Sequence, residues 1–204
     1  KRDLQHSMTD VLLGDCELAS ALVPVSPGNF TLLPGNQDLV AAEVQLMSMI
    51  GREVRLRNAL KPVRNLYDVI LIDCPPALNV LTLNALVAAD TVLVPMQCEY
   101  FALEGLSDLV NTIKKVHANL NRELKIIGLL RVMFDPRNTL SNQVSAQLEE
   151  HFGDKVFKTL VPRNVRLAEA PSYGVPGVVF DPAARGSQAF VAFAKEMVER
   201  IDKL

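Results

Sequence analysis

The run Tyr67-Asp68-Val69-Ile70-Leu71-Ile72-Asp73 sets a carboxylate at the end of an apolar, β-branched stretch, and Cys74-Pro75-Pro76 follows at once. A carboxylate at the end of a strand can hold Mg²⁺ or one of its waters, because the strand fixes its position against the ion. The pattern is Walker-B-like, and on these residues alone an aspartate capping the next helix accounts for it equally well. The double proline makes a rigid turn poor in N–H donors, which suits a switch hinge or a plain strand end. The remaining candidates are weaker. His6, His117 and His151 are scattered and form no ligand set, and Cys16, Cys74 and Cys98 are too widely spaced for a zinc site or a disulfide framework. Gly-Lys-Thr and Gly-Lys-Ser do not occur, and the glycine turns Pro34-Gly35-Asn36 and Gly51-Arg52 lack a phosphate-cradling arrangement.

Chemistry at such a carboxylate requires elements that hold it. Short apolar, β-branched runs at residues 29–33, 68–72, 91–95, 126–132 and 156–160 alternate with longer segments of helical period, the pattern of βα units around a parallel sheet. Leu103, Leu106, Val110, Ile113 and Leu120 recur at helical steps, as do Phe190, Phe193, Met197 and Ile201. Val40, Val44, Met47 and Val54 predict a helix that opens at Pro34-Gly35-Asn36 and runs to about Leu60. Residues 68–72 and 91–95 carry almost no polar side chain, which predicts helices over both faces and a right-handed crossover joining them in parallel. Ligands in such sheets lie beyond the carboxyl ends of strands, so Asp73, Gln97, Asp135 and Pro162 stand where chemistry is expected.

Composition bounds the function classes. The chain has 204 residues, 49% apolar and 22% charged, which predicts one globular domain over residues 1–204 with a sizeable core. With 21 Lys and Arg against 23 Asp and Glu, the net charge of −2 excludes a globally basic nucleic-acid binder and leaves room for a local basic patch. The odd cysteine count predicts a reducing, cytoplasmic setting. No apolar run approaches the ~18 residues needed to span a bilayer, so no membrane association is expected. The chain starts on Lys1 rather than Met, and an upstream segment is expected.

Four blocks together resemble one family. Asp73-Cys74-Pro75-Pro76, Val94-Pro95-Met96-Gln97-Cys98-Glu99-Tyr100-Phe101-Ala102-Leu103-Glu104-Gly105-Leu106, Met133-Phe134-Asp135-Pro136-Arg137, and the stretch from Val161-Pro162-Arg163-Asn164-Val165-Arg166 through Ser172-Tyr173-Gly174 are similar, in order, to the ParA/Soj chromosome-partitioning ATPases. They reach across essentially the whole chain, and four ordered blocks are far more specific than any one of them.

The resemblance implies a P-loop NTPase-like, Rossmann-like fold, a doubly wound and mostly parallel sheet flanked by helices. The family opens with a βαβ unit carrying a deviant Walker A loop and an acidic DxD segment; neither motif occurs in these residues, so no catalytic residue is assigned in this chain. The polypeptide alone is expected not to hydrolyse ATP. The resemblance further implies ATP and Mg²⁺ as cofactors, a homodimer formed on ATP binding, non-specific DNA and a ParB-type centromere-binding protein as partners, and a place on the nucleoid. Asp73 matches the family's switch II acid, near Mg²⁺ through water, with Pro75 beside it. Pro162 matches the proline whose loop packs on adenine, with Arg163 and Asn164 next to it. Arg137 and Arg166 match the arginines that contact DNA. Val132 stands where many relatives have a threonine. Two other readings are a truncated, non-catalytic paralogue serving as a dimerisation or adaptor module, and an unrelated dehydrogenase, which the lack of any GxGxxG disfavours.

Overall fold

The computed structural model describes residues 5–26 and 28–204, so the reading of Lys1 lies outside the described residues. The chain divides into two compact units, Lys1–Asp90 with Ile113–Leu124, and Thr91–Thr112 with Lys125–Leu204.

The first unit holds α1 (Met8–Leu13), α2 (Leu18–Ala21), β1 (Val23–Val25), β2 (Phe30–Leu32), α3 (Leu39–Met47), α4 (Arg55–Leu60) and α5 (Val80–Ala88). Helix α1 starts where a capping box allows it. The Ser7 hydroxyl accepts from the Thr9 N–H at 3.3 Å, and Asp10 accepts from the Ser7 N–H at 2.7 Å. Those Ser7 donors hold the Asp10 carboxyl below its ordinary range. Leu12, Leu46, Leu56 and Val80 form one apolar cluster, and Val11, Leu18, Ala21 and Val63 another.

Three expectations change in this unit. Residues 29–33 contain β2, but it pairs antiparallel with β1 rather than joining a parallel sheet. The four residues between the two strands are too few for a parallel crossover. Residues 68–72 lie in no strand, and Val69 and Leu71 are 51% and 82% exposed instead of covered on both faces. A strand exists only by pairing, and among the described residues no strand pairs with this segment. The single helix to Leu60 is two helices. The first, α3, ends at Met47 with Ser48 as its C-cap, and Gly51 beyond it adopts a left-handed backbone, φ 68°, that opens a 3₁₀ turn, Arg52–Val54, leading into α4.

The second unit holds β3 (Thr91–Gln97), α6 (Ala102–Asn119), β4 (Lys125–Phe134), α7 (Thr139–Phe152), β5 (Val156–Pro162), α8 (Val165–Glu169), α9 (Gly177–Phe180) and α10 (Arg185–Ile201); the part of α6 from Ile113 onward falls in the first unit. The strands form a parallel sheet in the order β3-β4-β5. Neighbouring residues of β4 point to opposite faces, and both faces are covered. Leu129 packs with Val94, Met96, Leu106, Val144 and Leu148, whereas Leu130 packs with Phe157, Val161, Leu167, Phe193 and Met197. The strands expected at 91–95, 126–132 and 156–160 are β3, β4 and β5, each slightly longer than expected. Arg131 is the buried cation on β4. Its guanidinium donates to the Ser145 hydroxyl at 2.7 Å and the Phe157 carbonyl at 2.8 Å, and it pairs with Glu149.

Strand β5 is an edge of this sheet, and its outward N–H groups are taken up by a side chain. The Glu196 carboxylate on α10 accepts from the Lys158 and Thr159 N–H groups at 2.8 and 3.0 Å and from the Thr159 hydroxyl at 2.9 Å. Burial works to raise this carboxyl's pKa, but those donors and Arg200 outweigh it and the net shift is downward. A carboxylate whose folded pKa lies below its unfolded one stabilises the fold above the unfolded value and loses that contribution as pH falls through the folded one. Glu196→Gln is therefore expected to cost about 1 kcal/mol at pH 7. The difference from the parent chain should vanish below the folded pKa, which denaturant titrations across the acid range would read.

Candidate functional site

The carboxyl ends of β4 and β5 lie side by side, with Phe134 in register with Pro162 and the Arg163 N–H donating to the Phe134 carbonyl at 3.3 Å. Just before this point Met133 takes a left-handed backbone, φ 50°, an uncommon conformation for a side chain of its size. It accompanies a register irregularity between Arg131 and Phe134, and beyond it Phe134 is buried in the core. The loop from Asp135 to Asn138 and the turn at Arg163 and Asn164 thus leave one corner of the sheet together.

Arg137 sits in the first loop with its side chain 89% exposed. Its Nε and Nη2 donate to the two oxygens of Asp135 at 2.9 and 2.8 Å, and its backbone N–H donates to the same carboxylate at 3.0 Å. These bonds from the Arg137 side chain, then its backbone, hold the Asp135 carboxyl down at about 2 and push the Arg137 guanidinium up. Arg166 lies on α8, which Asn164 caps by accepting from the Leu167 N–H at 3.2 Å. Its Nη1 donates to Glu169 at 3.0 Å and its Nε to Asp181 at 3.1 Å, and the guanidinium carbon lies 5.6 Å from the centre of the Phe180 ring. Glu169 first, then Asp181, pushes the Arg166 guanidinium up. Arg163 is exposed and is in no ion pair among the described residues.

The structure thus brings Pro162, Arg163, Asn164, Arg137 and Arg166 to one corner of the second unit's sheet. Asp73 and Pro75 belong to the first unit, where both are exposed. Three acidic residues of the corner escaped the sequence reading in this role: Asp135, Glu169 and Asp181. Arg166 and Glu169 stand at the i, i+3 spacing that pairs side chains along a helix, and that signal was available. The pairing of Arg166 with Asp181 crosses 15 residues and had no local signature.

A family profile described as an AAA domain matches residues 1–126. The sporulation initiation inhibitor protein Soj of Bacillus subtilis is 45% identical over 197 residues, covering 97% of this chain and 78% of that protein. The chain belongs to the ParA/Soj family of chromosome-partitioning ATPases. The chromosome partitioning protein ParA of Caulobacter vibrioides is 45% identical over 196 residues, 95% of this chain and 73% of that protein. A crystal structure of cobyrinic acid a,c-diamide synthase from Mycobacterium smegmatis, with a bound ATP analog and magnesium, superposes with a TM-score of 0.82 at 36% identity, covering 98% of this chain and 74% of that one. The ParA/Soj chain is therefore an α/β protein of the P-loop NTPase-like class, with a parallel sheet covered by helices on both faces. Among the described residues no helix is long and apolar enough to cross a membrane, and no group of three or more His, Cys, Asp or Glu side chains gathers to hold a metal ion.

Proposed function

We propose that this ParA/Soj-family protein binds duplex DNA without sequence preference through Arg137 and Arg166, as a nucleotide-gated dimer that a ParB-type partner releases. The observation that carries this reading is the placement of two exposed arginines, Arg137 on the loop after β4 and Arg166 on α8 after β5, beyond the ends of hydrogen-bonded neighbouring strands. Arginine suits phosphate because its planar fork meets two oxygens at once. Phosphate contacts carry no base information, so such a corner holds any duplex sequence alike.

By the family match, Asp73 in the first unit would be a contact to Mg²⁺ through water, and Pro162, Arg163 and Asn164 in the second would be contacts to adenine. A bound nucleotide would supply the charge and the gating of the dimer. These residues do not by themselves fit a magnesium nucleotide. Asp73 is exposed, no group of three or more His, Cys, Asp or Glu side chains includes it among the described residues, and no Gly-Lys-Thr/Ser loop stands in this sequence to cradle phosphates. No step of hydrolysis is accordingly assigned to them, and the 204-residue polypeptide alone should release no phosphate from ATP.

Arg137→Ala and Arg166→Ala test the DNA reading. Each should weaken binding to every duplex sequence equally and flatten the dependence of log affinity on log salt by about 0.9, the change for one lost phosphate contact. Gel shifts or anisotropy titrations on two unrelated duplexes at several salt concentrations read both quantities. Unchanged affinity and slope in both variants would return the two arginines to a solvated-surface role.

A further inference from the structure

We propose that Asp135, Glu169 and Asp181 act as built-in competitors of DNA phosphate, holding Arg137 and Arg166 in check so that the duplex binds only as these carboxylates are displaced. This rests on the assignment of the two arginines to DNA and specifies what regulates them.

Both arginines assigned to DNA face carboxylates: Asp135 lies against Arg137, and Glu169 and Asp181 lie against Arg166. The pairing is direct. Asp135 meets the Nε edge of Arg137 with both oxygens at 2.9 and 2.8 Å, the same two-point geometry that arginine offers a phosphate. Arg166 is shared by two carboxylates, one from its own helix and one from Asp181 just after α9, at 3.0 and 3.1 Å. A phosphate approaching either guanidinium meets a donor edge already filled and a neighbouring negative charge. Arg163 is in no ion pair among the described residues, and it adds to the field that keeps Asp135 ionised. Net attraction for a polyanion therefore appears when a carboxylate turns away, and any rearrangement of α8, α9 or the Asp135 loop changes the DNA affinity of the whole corner.

Asparagine at 135 and 181 isolates the charge. Asn keeps an oxygen for the N–H groups that the aspartates also serve, Arg137 at 3.0 Å and Ala184 at 3.1 Å, so the loops retain their local bonds. In the protein otherwise unchanged, Asp135→Asn and Asp181→Asn should each tighten binding to arbitrary duplex DNA about two- to five-fold, the range for releasing one exposed ion pair. Each should also steepen the salt dependence. Glu150→Gln, which removes an exposed carboxylate near the far end of α7, should leave both unchanged. Asp135→Asn should confer no gain in an Arg137→Ala background, because its effect passes through that arginine. Arg137→Ala alone separates the two levels of the reading. If it weakens binding while Asp135→Asn and Asp181→Asn do not tighten it, DNA contact stands and the competition is overturned. Tightening by Glu150→Gln as large as that by Asp135→Asn would also overturn it, since bulk charge would then suffice. If neither Arg137→Ala nor Arg166→Ala alters binding, the DNA assignment fails and the competition fails with it. Circular dichroism melts of each variant confirm that fold is not the variable.

Discussion

Gly128→Ala is expected to cost the second unit about 3 kcal/mol or more, the high end for overpacking a close-packed core. A Cβ on Gly128 of β4 would lie 2.5 Å from a Phe157 ring carbon, 2.7 Å from the Lys155 carbonyl oxygen and 2.8 Å from Arg200 Nη1. None of these can retreat cheaply. The Phe157 side chain is fully buried, with the Phe193 ring 5.0 Å away and the Arg200 guanidinium 3.8 Å over its face. The Lys155 oxygen is backbone, and Arg200 is tied to the carbonyls of Ile127, Lys155 and Val156 at 3.0 to 3.2 Å. The missing side chain is what lets a ring, a cation and two strand ends share one volume. Denaturant unfolding followed by far-UV circular dichroism checks this, and a midpoint equal to that of the parent chain would refute it.

In the first unit the largest expected loss comes from Asn84→Ala, about 2–4 kcal/mol, because truncation strands buried polar groups rather than merely removing bonds. Asn84 is 1% exposed on α5. Its side-chain oxygen accepts from the Leu56 N–H at 3.1 Å, and its amide donates to the carbonyls of Arg52 at 2.7 Å and Val80 at 2.9 Å. Leu56 N–H lies in the first turn of α4, where no intrahelical partner exists, and the Arg52 carbonyl belongs to the turn just before it. Asn84→Asp should be nearly as damaging. It retains the acceptor, loses both donors and buries a charge. The same unfolding measurement on both variants discriminates: a harmless Asp with a harmful Ala would show that only the Leu56 bond matters.

Neither Gly128 nor Asn84 drew notice in the sequence, whereas much of the second unit was legible there. Residues 91–95, 126–132 and 156–160 read as strands because runs of Val, Ile and Leu that long fit only a surface buried on both faces, and β3, β4 and β5 supply it. The periodic leucines from Leu103 and the stripe from Phe190 to Ile201 fell in α6 and α10 for the equally local reason that a 3.6-residue repeat makes one apolar face. Family membership was legible as well, because motif blocks such as Asp73-Cys74-Pro75-Pro76 and Val161-Pro162-Arg163-Asn164 are linear strings.

Where a property belongs to a pair of segments, the linear string was silent. Residues 68–72 have the composition of a strand and lie in none, since a ladder needs a second strand and none pairs with them among the described residues. The helix expected as far as Leu60 stops at Met47, and the left-handed Gly51 and the turn at Arg52–Val54 then lead to α4, docked through Leu56 on Asn84. At the site, the sequence by itself placed Asp135 and Pro162 just after strands and, by resemblance, matched Arg137 and Arg166 to arginines that contact DNA. The tertiary structure alone decided that each arrives already paired, Arg137 with a carboxylate two residues away and Arg166 with one 15 residues away. The physical reason is range. Side-chain period, turn chemistry and motif spacing act over a few residues and are written in the chain, whereas strand pairing, a glycine's room and the partner of a charge depend on segments that only folding brings within a few ångströms.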